Sequence, residues 1–344
     1  MINTLGAFIT GVVMVIFAVT KFSQGAWIAL LLMPALVLFF FRIHRHYRHL
    51  ASRLTLEEYN PGPPPQRHKV ILPISGVHQG SLAALEYARL LSPDVTAVHI
   101  STDPASAERA ALDAGIVPER YRRNGATISV EQQIHLLDST AAVIGCGGLG
   151  GYVVEELARL GVGRIVAIDP DVFDEHNLNR QLFSDEPSLG KPKVESAAAR
   201  IELVNPAVRI VPLRGRFTAD AARRQLSGAA VVVDALDSVP VRRELAAACS
   251  ALGIPLVHGS IAGWYGQLAV QYPGESTIES LYAGFGGDRG VETRLGNPSF
   301  TPAVVASLQS ALACKVILGI ESGLRRRVLM IDLLAMSFDT ISMG

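Results

Sequence analysis

At 344 residues the chain is long enough for two domains, or for one domain with an appendage, and can bury a sizeable core. Its 31 Lys+Arg balance 31 Asp+Glu, which excludes both the broad basic field of a nucleic-acid binder and the acidic tail of a disordered chain. Its three cysteines, Cys146, Cys249 and Cys314, form no C-x-x-C pair. They indicate neither a disulfide framework nor a thiolate zinc site, and a reducing cytoplasmic setting fits them best.

Residues 1–20 carry no charge, Lys21 interrupts, and residues 22–41 are again uncharged and rich in Leu, Ala and Phe. Each run has about the ~20 residues that a bilayer-spanning helix needs. Arg42, Arg45, Arg48 and Arg53 follow at once, interleaved with His44, His46 and His49, while residues 21–25 hold one positive charge. The positive-inside rule then puts both ends in the cytoplasm. A cleaved signal peptide and a buried pair of core helices are the alternatives. Against the first, no Lys or Arg precedes the first run and a second run follows it. The expectation is a two-helix transmembrane hairpin with a basic flank over residues 1–58, whose segment 1–42 anchors a cytoplasmic catalytic domain to the inner, cytoplasmic membrane.

Asn60-Pro-Gly-Pro-Pro-Pro65 sits in a stiff linker, residues 59–68, because consecutive prolines fix φ and cannot continue a helix. Residues 69–75 then read as a strand, 81–91 as a helix and 95–100 as a strand. This β-α-β unit, with its connector, occupies 69–117 and cannot make a stable sheet alone. Thr20-Lys21-Phe22, Gly25-Ala26-Trp27, His46-Tyr47 and Val70-Ile-Leu-Pro-Ile-Ser75 resemble the end of an amino-acid permease of the APC superfamily, whose members can close with a universal-stress-like domain. The resemblance covers about residues 1–102. It implies only the last two spans of such a transporter, which lack the substrate pathway between broken helices, so transport is not expected. The change of character after Asp103 is that of a fusion, natural or made in gene assembly.

Residues 140–144 form a short apolar strand, followed by Gly145-Cys146-Gly147-Gly148-Leu149-Gly150-Gly151 and by helical periodicity over 152–160. That is the strand-turn-helix context which a G-x-G-x-x-G motif requires. Its glycines allow a tight turn and close backbone approach, and the helix N-terminus offers N–H groups to a phosphate. A second strand, 164–168, ends in Asp169, placed to take ribose hydroxyls. By itself this specifies only a nucleotide, with an NAD(P)-binding oxidoreductase as the default.

Asn177-Leu-Asn-Arg180-Gln181, Gly190-Lys-Pro-Lys193 and Asp234-Ala-Leu-Asp237 argue for a triphosphate instead. A hydride-transfer enzyme needs no such cations, whereas Arg180 can fork two phosphate oxygens and Lys193 supplies a point charge. Asp237 follows the apolar strand 229–233 at its carboxyl end, where open α/β sheets bind ligands and where a carboxylate can hold Mg²⁺. His135, His176 and His258 read as local hydrogen-bonding residues.

This constellation resembles the ThiF/MoeB/HesA family, to which the catalytic domains of ubiquitin-activating enzymes are related, over about residues 120–339. Arg120-Tyr121-Arg122-Arg123 matches a family motif ahead of the glycine loop. The resemblance implies that Arg123 reaches the nucleotide of the partner subunit in a homodimer. It also implies that Gly145, Gly147, Gly148 and Gly150 cradle ATP with Gln181, that Asp169 binds ribose, that Asn177, Arg180 and Lys193 bind phosphates, and that Asp237 holds magnesium. Arg242 matches a further family arginine. The implied reaction is adenylation of a carboxylate, that of a small ubiquitin-like sulfur carrier ending in Gly-Gly, with release of pyrophosphate. A non-catalytic, membrane-tethered nucleotide-binding scaffold is the other alternative.

The chain departs from its relatives at the cysteines. Residues 272–287, where the first zinc-binding C-x-x-C pair of many relatives would lie, contain none, so zinc is not expected. Residues 284–302 lack the acceptor thiol of some relatives, and Glu292 stands in its place. Cys146 and Cys314 read as packing residues. The expected fold for 118–344 is α/β, a three-layer Rossmann-type sheet, mostly parallel, extended by mixed strands at 256–257, 266–272 and 327–332.

Overall fold

A computed structural model describes residues 2–22, 26–54, 69–74, 79–99, 103–288 and 290–343; the linker expected at 59–68 lies outside them. The chain divides into two compact units, 1–98 and 99–344.

In the first unit, α1 (Ile2–Thr20) packs on α2 (Ala26–Leu54), which contains Pro34. Phe8, Val13 and Ile16 of α1 and Leu38 and Phe41 of α2 are exposed. β1 (Lys69–Ile74) and β2 (Asp94–His99) pair in a two-stranded sheet, and α3 (Gln79–Leu91) packs on β1. Among the described residues, the helix long and apolar enough to cross a membrane is Phe300–Ile317, in the other unit and half buried there; α1 contributes the shorter segment Gly6–Ile16.

The second unit opens with α4 (Pro104–Asp113), capped by the Asp103 carboxylate, which accepts from Ala105 N, and started by Pro104 at its first turn. The sequence grouped this helix with the connector 69–117. In the structure Leu112 is buried and Glu108 nearly so, and α4 packs on α5. A 3₁₀ segment, Glu119–Thr127, leads into α5 (Val130–Asp138), which begins with a Ser129/Gln132 capping box.

Then follow β3 (Thr140–Ile144), α6 (Gly150–Leu160), β4 (Arg164–Asp169), α7 (Lys193–Val204), β5 (Arg209–Arg214), α8 (Ala219–Gln225), β6 (Val231–Asp234), α9 (Val239–Leu252), β7 (Leu256–Ala262), β8 (Tyr265–Gln271), α10 (Thr277–Leu281), α11 (Glu292–Leu295), α12 (Phe300–Ile317), β9 (Arg327–Asp332) and β10 (Ser337–Ser342). The strands form one sheet in the order β10-β9-β8-β7-β6-β3-β4-β5. From β5 to β7 all pairs are parallel; β8, β9 and β10 continue antiparallel.

Side chains alternate across the sheet, so Ala141, Val143, Val231 and Val233 pack toward α6, α7 and α12, and Ala142, Ile144 and Val232 toward α8, α9 and α10. Burial on both faces explains why β3 and β6 read as unbroken apolar runs. The three-layer α/β arrangement was legible in the sequence. Two details differ: β7 runs five residues beyond the expected 256–257, as the parallel neighbour of β6, and β10 was not foreseen. The chain leaves β3 toward β4 on one side, and β6 returns on the other. The carboxyl ends of β3 and β6 therefore flank the switch point where such sheets open a crevice.

Candidate active site

A cavity of about 670 Å³ lies at that crevice, lined by the glycine loop, Asp169, Asp171, Arg180, Gln181, Lys193 and Asp237. The loop has little freedom. Gly145 takes φ +97°, and a Cβ there would meet Ala235 O at 2.5 Å; one on Gly150 would lie 1.7 Å from Gly145 O. Only glycine fits either position. At Gly147 the nearest atom would be Gln181 Nε2 at 3.6 Å, and at Gly148 Pro302 Cβ at 3.5 Å, both ordinary contacts. These two leave room in front of the α6 N-terminus, whose N–H groups and dipole favour an anion.

Asp169 ends β4 and is 5% exposed. Its Oδ2 accepts from Cys146 N at 2.7 Å and its Oδ1 from Asp171 N at 2.8 Å, so the carboxylate pins the glycine loop to β4 and keeps lone pairs for a ligand hydroxyl. Burial pushes its pKa up, against the pull of Lys193 and of the two backbone donors. Lys193 is the first residue of α7; it is buried, and its Nζ lies 3.2 Å from the exposed carboxylate of Asp171. Arg180 donates Nη1 to His176 O and Asn179 Oδ1, has no carboxylate partner among the described residues, and has its pKa lowered by burial. Gln181 is buried, and its Oε1 accepts no hydrogen bond from the described residues.

Two expected site residues stand apart from the cavity lining. Asn177 is buried in its own turn: its Oδ1 accepts from Asp174 N, and its carbonyl accepts from the backbone N–H groups of Arg180 and Gln181. It shapes the segment that presents Arg180. Arg123 lies on the 3₁₀ segment, exposed, without a polar contact to any described residue.

Behind Asp237 the structure holds a buried network that sequence reasoning missed. Asp234 and His258 are paired in the register of β6 with β7, both fully buried, with Oδ2 2.7 Å from Nδ1. His258 Nε2 lies 3.1 Å from Tyr282 Oη, which also accepts from Arg242 Nη1 at 2.8 Å and Gln267 Nε2 at 3.0 Å. Two obligate donors occupy that oxygen, so its single proton goes to Nε2, and Nδ1 carries the proton given to Asp234. Burial holds His258 below the usual histidine range despite Asp234, in keeping with a neutral ring. Arg242 stays charged, since Asp234 and Tyr282 outweigh its desolvation. His135 and His176 take no part in this network. Arg216, also on the cavity wall, stood outside any motif. Glu292 lines the cavity, with Oε1 accepting from Gly290 N at 2.9 Å.

The site is suited to a polyanionic nucleotide: a steric cradle, a helix N-terminus, two inward-facing cations and a carboxylate at the rim. Asp237 is exposed at the carboxyl end of β6, and a single hard oxygen ligand suits Mg²⁺, which keeps several waters and shares phosphate oxygens. No group of three or more His, Cys, Asp or Glu able to cage a metal occurs among the described residues.

The profile of the ThiF family matches residues 121–344, and that of the KimA potassium transporter C-terminal domain matches residues 66–113. The second fits the permease-like reading, with a potassium transporter in place of an amino-acid permease. The chain is 35% identical over 230 residues to the SAMP-activating enzyme E1 of Haloferax volcanii, covering 65% of this chain and 84% of that one. It is 31% identical over 210 residues to the molybdopterin-synthase adenylyltransferase of Salmonella typhimurium, covering 60% and 84%. The crystal structure of E. coli MccB with ATP superposes with a TM-score of 0.56 at 17% identity, over 78% of this chain and 80% of that one; at that identity it speaks for the fold.

Proposed function

Because the chain belongs to the ThiF family and is an adenylyltransferase of the ubiquitin-activating type, we propose that its second unit adenylylates the C-terminal carboxylate of a small ubiquitin-like sulfur carrier ending in Gly-Gly, using ATP. One observation carries the reading: the glycine cradle, Arg180, Lys193 and Asp237 converge on a single cavity at the sheet's switch point.

In the proposed reaction a carboxylate oxygen attacks the α-phosphorus of ATP. The P–O bond to the β-phosphate breaks, pyrophosphate leaves with the electron pair, and the acyl-adenylate remains. No proton has to move and no protein nucleophile is needed, so the task is to bring two anions together. Arg180 and Lys193 neutralise phosphate oxygens, Asp169 accepts from the ribose, and the α6 N-terminus adds backbone donors. Magnesium, held by Asp237, would neutralise phosphate charge. Arg123, exposed and without a polar contact to the described residues of its own subunit, completes the partner's site in a homodimer. We further propose that α1 and α2 form a membrane hairpin that tethers this unit at the cytoplasmic face. Support comes from their exposed apolar side chains, from Arg42, Arg45 and Arg48 after the second run, and from the match of residues 66–113 to a transporter domain.

The test is carrier-dependent exchange of labelled pyrophosphate into ATP. Exchange is expected with a carrier ending in Gly-Gly and to vanish when the terminal glycine is removed. NAD(P)H binding tighter than ATP, without exchange, would overturn the assignment.

A further inference from the structure

The turn that carries Asp237 is fastened from both faces of the sheet. On one face Gln309 of α12 donates Nε2 to Asp234 O at 2.9 Å. On the other, Leu236 N donates to Asp234 Oδ1 at 3.0 Å, and Arg242 Nη2 donates to Leu236 O. Both backbone polar groups of Leu236, the residue before Asp237, are therefore engaged. Their two partners, Asp234 and Arg242, are each held by the His258–Tyr282 pair. The Arg242 Nε, 3.7 Å from Asp234 Oδ2, makes no hydrogen bond to the described residues. The arginine is thus oriented by Tyr282 and Leu236 rather than by the carboxylate it faces.

We propose that Tyr282 and His258 are positioning residues: they set the backbone angle of the Asp234–Asp237 turn and thereby aim the Asp237 carboxylate at the nucleotide's magnesium. This rests on the assignment of Asp237 as the magnesium ligand. The physical reason is that one exposed carboxylate makes a selective ligand only if its backbone is preorganised, and the ligands' supporting partners do that work in metal sites. Leu236 can be held by Arg242 only while the guanidinium is fixed in the plane that Tyr282 imposes. Tyr282→Phe removes that restraint with little change in volume, together with the contacts of the hydroxyl to His258 and Gln267.

A double-mutant cycle read by calorimetry of ATP binding, with and without Mg²⁺, tests this on the full chain. In the Asp237 background, Tyr282→Phe is expected to cut the Mg²⁺-dependent gain in ATP affinity about tenfold and to leave metal-free ATP binding within about twofold, since interacting residues couple non-additively. In the Asp237→Asn background the same change should have no effect on the Mg²⁺ dependence. Equal effects in both backgrounds, or a lowered melting temperature with an unchanged Mg²⁺ dependence, would overturn the proposal. If Tyr282→Phe does not fold, His258→Asn, which can keep the donor to Asp234 but loses the link to Tyr282, replaces it in the same cycle with the same expected outcomes. Absence of pyrophosphate exchange in the wild type would count against adenylation while leaving the binding cycle readable. Loss of the Mg²⁺ effect in wild type itself would count against Asp237.

Discussion

Glu108 of α4 accepts the hydroxyl hydrogen bond of Tyr121 at 2.7 Å, and its other oxygen meets Arg120 Nε at 2.6 Å. Asn205 closes the ring, donating to the Tyr121 oxygen and accepting from Arg120 Nη1, both at 2.9 Å. The segment that bears Arg123 is therefore anchored by a helix upstream of the ThiF match. A fragment beginning at Pro118 should unfold at lower urea than one beginning at Asp103, and Glu108→Ala in the longer fragment should cost about 1–3 kcal/mol for each buried group left without a partner. Equal midpoints would show that α4 is dispensable.

The glycines of the loop separate into two kinds. Gly150→Ala, whose Cβ would overlap a backbone oxygen, is expected to abolish ATP binding and to disturb near-UV circular dichroism. Gly147→Val meets only ordinary contacts from the protein at its Cβ and should keep the native spectrum while losing ATP. Retained ATP binding in Gly147→Val would place the nucleotide elsewhere.

Asp237→Asn should lower Mg²⁺-dependent pyrophosphate exchange by about a hundredfold, on the order of 3 kcal/mol in the transition state, while the near-UV spectrum stays native, because the side chain is exposed at the rim and not in the core. Undiminished exchange would remove Asp237 from the mechanism.

Burial raises all three thiols: Cys146 furthest, Cys249 to about 12, and Cys314 to a lesser extent. A thiol below its pKa is protonated and a poor nucleophile, so at pH 7.5 the folded protein should resist iodoacetamide. Activity should survive Cys146→Ala, Cys249→Ala and Cys314→Ser together, and chelation of zinc. A carrier-linked band that vanishes with reductant and with Cys314→Ser would instead reveal a covalent relay.

An Arg123→Ala subunit mixed with an Asp237→Ala subunit should regain up to about a quarter of wild-type exchange, from the half of random dimers that are mixed, each with one intact site. No recovery would mean that the arginine acts within its own chain.

The parallel half of the sheet was legible because burial on both faces writes itself as short apolar runs, and the glycine loop because sterics demand those residues. β10 escaped notice because its side chains are largely exposed and only backbone pairing to β9 defines it. Asp234 was visible within a motif, yet its role was not. Its partner His258 lies 24 residues away and is brought to it by strand register. Asn177 shows the same limit: nothing in its motif foretold that its Oδ1 would accept from Asp174 N and cap its own turn. α4 looked like a connector because its fixing contacts, Glu108 to Arg120 and Tyr121, come from beyond its own periodicity.

The ion pair of Lys193 with Asp171 gives the cavity an internal counter-ion. Nucleotide entry at this lysine is then an exchange of one anion for another rather than the neutralisation of a bare charge. A single small anion gains little by displacing a carboxylate already in place; a polyphosphate, engaging Arg180 and the α6 N-terminus at the same time, gains a great deal. On the proposed reading the pairing acts as a filter: orthophosphate competes poorly, ATP affinity falls less with ionic strength than the number of cations would indicate, and the freed Asp171 turns to solvent.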